Sequence, residues 1–117
     1  MALPYDYDQF VRLGERAVAW SYWRWMAGTL ILRGDRITER TLGVVPGSLP
    51  DFTDPASLGC LVYLVREAWR KPTLHAYMVG SEGWCVSTPK GPKFGPTEVA
   101  AWLAAGEVAP YLELTKK

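Results

Sequence analysis

The residue types able to carry out acid–base or covalent chemistry are few in this chain, and their spacing is uninformative. His75 is the single histidine, and Cys60 and Cys85 are the two cysteines. His75 has no HxH, HExxH or HxxxH partner, and neither cysteine belongs to a CxxC pair. Zinc needs several such ligands converging on one point, so His75 reads as a strand histidine hydrogen-bonded at a sheet surface. The cysteines read as buried, reduced thiols. Glu67, Glu82, Glu98 and Glu107 form no recognisable acidic pattern. A hydrolase or transferase needs a nucleophile or metal beside a general base. The expectation is a non-enzymatic protein with no catalytic residue, no metal ligand and no cofactor.

Two other constellations carry binding chemistry. The first is Pro89-Lys90-Gly91-Pro92-Lys93-Phe94-Gly95, two lysines and an aromatic ring in a stretch that reads as a loop feeding a helix. Free N–H groups at a helix start, beside ammonium groups, suit a phosphate. Lys90, Lys93, Phe94 and Gly95 are therefore the candidate anion site, with Phe94 able to stack on a base. The run lacks GK[ST] and GxGxxG, so the ordinary reading is a surface loop stiffened by Pro92. The second constellation is Trp20-Ser21-Tyr22-Trp23-Arg24-Trp25. One face of any regular element can bury two of these four rings, which leaves the others for an interface or a satellite core. Arg36 and Arg40 follow closely, with Arg33 between. Trp20, Tyr22, Trp23, Arg24, Trp25, Arg36 and Arg40 make up the candidate partner surface. Arg33-Gly34-Asp35 spells an integrin tripeptide, but turn chemistry accounts for it.

Composition narrows the class. The 117 residues suffice for one domain, and 49% hydrophobic against 21% charged marks a globular chain. Fifteen aromatic rings (six Trp, six Tyr, three Phe) exceed what one small core absorbs, which favours a partner. A net charge of +1 generates no field for nucleic acid or an anionic membrane, and Asp35 and Glu39 dilute the nearby arginines. The first residues, Met1-Ala2-Leu3-Pro4-Tyr5-Asp6, lack a basic then apolar pattern, and no apolar run is long enough to span a bilayer. A cytoplasmic protein is expected.

The elements that must position these residues follow from periodicity. Phe10, Leu13, Ala17 and Trp20 or Val18 predict a helix over 8–21, with Gly14 in the stripe admitting a close neighbour. Trp25 to Leu32 and Arg36 to Val44 predict a hairpin around Arg33-Gly34-Asp35, its second strand exposed and guarded by charge. Asp54 as cap and Pro55 as first residue start a helix whose apolar face is Leu58, Leu61, Val62, Val65, Ala68 and Trp69, widened by Leu64. Pro72 stops it. Thr73 to Val79 and Trp84 to Thr88 predict a second hairpin around Gly80-Ser81-Glu82-Gly83. A third helix opens at Gly95-Pro96-Thr97-Glu98, with Val99, Trp102 and Leu103 inward, and ends near Gly106. The order α-β-β-α-β-β-α predicts a single α+β domain over 1–117, two hairpins joined in one antiparallel sheet with helices on its faces.

Leu49-Pro50-Asp51, Asp54-Pro55-Ala56 and Leu58-Gly59-Cys60-Leu61 carry a family likeness, continued by Val65-Arg66-Glu67-Ala68, Gly83-Trp84-Cys85-Val86 and Gly95-Pro96-Thr97-Glu98. Residues 50–109 resemble the small ABA-sandwich domain of phage proteins of unknown function, and Trp23 to Gly28 is similar to what precedes it. The resemblance brings no catalytic residues. It implies a short phage accessory protein working in the host cytoplasm. The reading that follows is stoichiometric binding that blocks a host protein or complex: a defence factor (anti-CRISPR or other anti-defence action) or a regulatory one. Self-association is compatible with it. The alternative is a small-molecule binder that sequesters a phosphorylated ligand, such as a signalling nucleotide, at Lys90, Lys93 and Phe94.

Overall fold

The computed structural model describes residues 7–40, 44–81 and 83–110. The class is α+β, with three helices and a three-stranded antiparallel sheet. The chain divides into two compact units, Met1–Cys60 and Leu61–Lys117. No helix among the described residues is long and apolar enough to cross a membrane.

In the first unit, helix α1 spans Tyr7–Ala19, with Asp8 in its first turn and Arg16 in its last, both favourably placed for the helix dipole. Leu13, Ala17 and Trp20 are buried, and Arg12 and Glu15 are exposed, as the spacing predicts. Gly14 permits a close approach: a Cβ there would lie 3.1 Å from Leu49 Cβ and 3.2 Å from the Pro50 carbonyl oxygen.

The expected first hairpin is reduced to isolated bridges, Leu30 with Arg36 and Ile31 with Pro50. Its turn does form: Gly34 N–H donates to Ile31 O at 2.8 Å, and Arg33 takes a left-handed φ of 59°. The segment after the turn does not run on as a strand. Ile37 is its one buried residue among those described, while Thr38, Glu39 and Arg40 are exposed and bring no apolar face to a sheet. Leu30 and Leu32 bond elsewhere on their other side: Asp51 N–H donates to Leu30 O and Leu32 N–H to Leu49 O, each at 2.8 Å. Residues 41–43 of the expected strand lie outside the described residues, as do 1–6, Glu82 and 111–117.

Helix α2, Pro55–Trp69, has the bounds that the sequence predicts. Asp54 Oδ2 accepts from the Ser57 N–H at 3.0 Å, which satisfies a first-turn donor. The far end closes in a Schellman arrangement: Lys71 N–H donates to Arg66 O and Arg70 N–H to Glu67 O. Arg70 holds the left-handed position at φ 55°, where glycine is usual. Leu61, Leu64, Val65, Ala68 and Trp69 are buried; Tyr63 and Gly59 face solvent.

In the second unit, strands β1 (Ala76–Val79), β2 (Gly83–Thr88) and β3 (Gly91–Gly95) pair in that order, and helix α3 follows at Glu98–Glu107. The expected hairpin is β1–β2, with Tyr77 opposite Cys85 and Met78 opposite Trp84. The third strand corrects the loop expected at 89–95. Thr88 Oγ1 donates to Gly91 O at 2.7 Å and accepts from Lys90 N–H at 3.2 Å, so the chain reverses and pairs Phe94 with Cys85 and Lys93 with Val86. A proline is tolerated because β3 is an edge strand, where a missing N–H need not interrupt the ladder.

Helix α3 packs on β2 and β3. Thr97 caps it, its Oγ1 accepting from Ala100 N–H at 3.2 Å, and seven of its residues are buried. Gly95 sets the distance of approach: a Cβ there would fall 2.5 Å from the Ala101 nitrogen. Gly95 shares a cross-strand row with Trp84, so by alternation Trp84, Val86 and Lys93 face α3. Tyr77, Ser87 and Phe94 lie on the other side and are exposed. Cys85, between Tyr77 and Phe94 in one row, is buried, and both cysteines are free thiols.

Candidate functional site

The aromatic run of the first unit is built on two consecutive turns at the end of α1. Trp20 N–H donates to Ala17 O and Trp23 N–H to Trp20 O, each at 3.0 Å. This winding separates the four rings by role. Trp20 turns inward and is 7% exposed. Trp23 is half-buried, edge-on to Phe52 at 5.9 Å and to Trp25 at 5.6 Å. Aromatic pairs favour these edge-to-face geometries, and Phe52 is itself buried. The indole N–H groups of Trp20 and Trp23 and the Thr29 hydroxyl are buried with no hydrogen-bond partner among the described residues.

Tyr22 and Trp25 are half-buried and Arg24 is exposed. The Arg24 guanidinium carbon lies 5.9 Å from the Tyr22 ring centre, within cation–π range, and Trp20 packs 5.6 Å from the same ring. Tyr22 is thus held between a buried indole and an exposed cation. Arg24 is thus exposed, Tyr22, Trp23 and Trp25 are half-buried, and Trp20 is buried.

Arg36 is placed differently from what the sequence suggests. Its guanidinium binds Asp54 through both terminal nitrogens, and Nη1 also donates to Gly28 O at 2.8 Å. The Arg36 hydrogen bond holds the Asp54 carboxyl well below the usual carboxylate range, aided by Ser57 and opposed by burial. Asp54 in turn raises the Arg36 pKa. Ser57 Oγ completes the web, donating to Asp54 Oδ2 at 3.1 Å and accepting from Leu30 N–H at 2.8 Å. Asp54 is legible as a cap, but its guanidinium partner 18 positions earlier has no local signal. Arg40 is exposed, its backbone N–H on Thr38 Oγ1.

The structure does not gather the anion candidates. Lys90 lies in the β2–β3 turn. Lys93 and Phe94 are neighbours on β3 and so point to opposite faces of the sheet. Gly95 is occupied by the close approach of α3, and Thr97 already serves a first-turn N–H of that helix. Beside Phe94 an apolar groove of about 470 Å³ is lined by Val79, Gly83, Trp84, Phe94, Gly95 and Pro96. None of these carries a charge. His75 is exposed, its Nδ1 3.3 Å from Thr73 O and its ring against Tyr77.

Comparison with protein-family models, with curated proteins and with solved structures gave no significant match.

Proposed function

We propose that the chain is a non-enzymatic binding protein that engages a protein partner stoichiometrically through Tyr22, Arg24 and Trp25. The observation that supports this is the exposed Arg24 within cation–π range of a Tyr22 ring that Trp20 packs against on the inside. Tyr, Trp and Arg are the types that dominate binding energy at protein interfaces, and a ring already fixed in place loses little freedom on binding. The phage resemblance read from residues 50–109 of the sequence favours a host defence or regulatory protein as that partner. Sequestration of a phosphorylated ligand has less support, because Lys93 and Phe94 diverge.

The test is affinity capture from host extract, with wild type and two variants compared quantitatively. A specific partner is retained by wild type and by Lys93→Glu, and weakened about 30-fold or more by Arg24→Glu, as loss of a charged hot spot of about 2 kcal/mol implies. Equal retention by wild type and Arg24→Glu overturns the assignment. Loss with Lys93→Glu alone moves the site to β3.

A further inference from the structure

Residues 23–28 carry Arg24 and Trp25, yet burial does little to hold them. Arg24 and Ala27 are exposed, and Trp23, Trp25, Met26 and Gly28 are half-buried. Ring and polar contacts fix the span instead, and they converge on α2 and the residues just before it. At one end the Trp23 ring lies edge-on to Phe52 at 5.9 Å. At the other, Arg36 Nη1 donates to Gly28 O at 2.8 Å, while the same guanidinium grips Asp54 with both terminal nitrogens. Between them the Cys60 thiol, a weak donor, lies 3.8 Å from Ala27 O. Gly28 presents its carbonyl from a φ of 103°, a conformation that other residues rarely take.

We propose that Arg36 is a positioning residue of the partner site: it fixes the Gly28 end of the span to Asp54 and so holds Arg24 and Trp25 in their binding arrangement. This role rests on the partner reading above, and it takes Arg36 from the contact surface expected from the sequence to a support for that surface. A surface ordered before binding loses less freedom when the partner arrives. The guanidinium suits the task because its planar fork serves a carboxylate and a carbonyl at once in a fixed geometry. Lysine keeps the charge, on a flexible stem, without the fork.

Arg36→Lys and Asp54→Asn break the clamp from its two sides, and Arg24→Glu is the reference. The amides of Gly28 and Thr29, which donate to Ile37 O and Met26 O, report on the span in the isolated full chain. Their deuterium exchange should quicken about tenfold in both clamp variants, with the amides of α1 unchanged. Loss of global stability alone would quicken both sets. The Trp25 indole should also move more freely on the nanosecond scale, as nitrogen relaxation reads.

In quantitative capture from host extract, Arg36→Lys should retain the partner about tenfold more weakly than wild type, although its charge is unchanged. Asp54→Asn, which leaves Arg36 in place, should weaken retention to a similar degree. Wild-type exchange at Gly28 and Thr29 in Arg36→Lys overturns the positioning role, as does equal quickening in α1. Full retention by Arg36→Lys where Arg24→Glu loses the partner overturns it too. Full retention by Arg24→Glu overturns the partner site itself and this role with it, while faster exchange would still show the clamp.

Discussion

Arg36 holds Asp54 in a two-pronged ion pair, Nη1 to Oδ2 at 2.7 Å and Nη2 to Oδ1 at 2.9 Å, while the same carboxylate caps α2. Exposed ion pairs are worth little on their own. This one is bidentate, and its acid has a second task, so the two variants separate the roles. Asp54→Ala removes cap and pair together and lowers stability by about 1–2 kcal/mol, the usual cost of a lost cap. Asp54→Asn retains a cap acceptor and loses less. Arg36→Met leaves the cap intact and is the mildest of the three. Urea titration at pH 7 checks the ranking; an Arg36→Met variant weaker than Asp54→Ala would place the energy in the ion pair.

The same carboxylate sets an acid response. Its folded pKa is depressed, chiefly by Arg36, so its contribution is complete above the unfolded carboxylate value near 4. That contribution is lost as pH falls below about 4 toward the folded value, because the unfolded chain then binds the proton more readily. Wild type should therefore lose urea resistance between about pH 4 and pH 2 faster than Asp54→Asn. Parallel curves for the two proteins over that interval would show that Asp54 does not carry the response.

Two glycine-to-alanine changes should have opposite signs. At Gly95 an added Cβ meets the backbone of Ala100 and Ala101 at 2.5–2.7 Å, and helix backbone cannot move aside cheaply. Gly95→Ala should lift α3 from the sheet at a cost of about 2 kcal/mol or more, in the range of overpacked cores. Gly59 lies on the exposed side of α2 with nothing within 4 Å of the added atom. Gly59→Ala should stabilise by about 0.5–1 kcal/mol through lower unfolded-chain entropy. Thermal melts read both, with about 4 °C expected per kcal/mol at this size.

Local chemistry was legible in the sequence, and pairing between distant segments was not. The bounds of α2 follow from Asp54, Pro55 and Pro72, each acting within a turn of its own position. The turn at Gly80, which takes a left-handed φ of 58°, follows from residue type for the same reason, whereas in the turn at Gly34 the left-handed residue is Arg33. β3 was hidden because its glycines and Pro92 are loop residues by composition, and only an edge position makes them acceptable in a strand. The first hairpin failed in the opposite way: β-branched residues suggested strands, yet Leu30 and Leu32 bond to segments on both sides over a few residues only. In the aromatic run, composition showed too many rings for one face. Which ring turns inward depended on the two turns after α1, and on Phe52 lying near enough to receive Trp23.

Two buried indoles differ in whether their N–H is used, and that difference can be measured. Trp69 Nε1 donates to the Ala105 carbonyl at 2.8 Å, serving an acceptor in the last turn of α3, where intrahelical partners run out. Trp20 Nε1 is buried with no hydrogen-bond partner among the described residues. Phenylalanine at either position loses similar volume. Only at Trp69 does it also orphan a buried acceptor, which costs about 1–3 kcal/mol, whereas at Trp20 it removes an unsatisfied donor. Trp69→Phe should therefore be the more destabilising by at least about 1 kcal/mol in urea unfolding followed by circular dichroism. Amide exchange should in addition quicken at the C-terminal turn of α3 in Trp69→Phe alone. Equal losses would mean that packing volume, and not the hydrogen bond, is what Trp69 supplies.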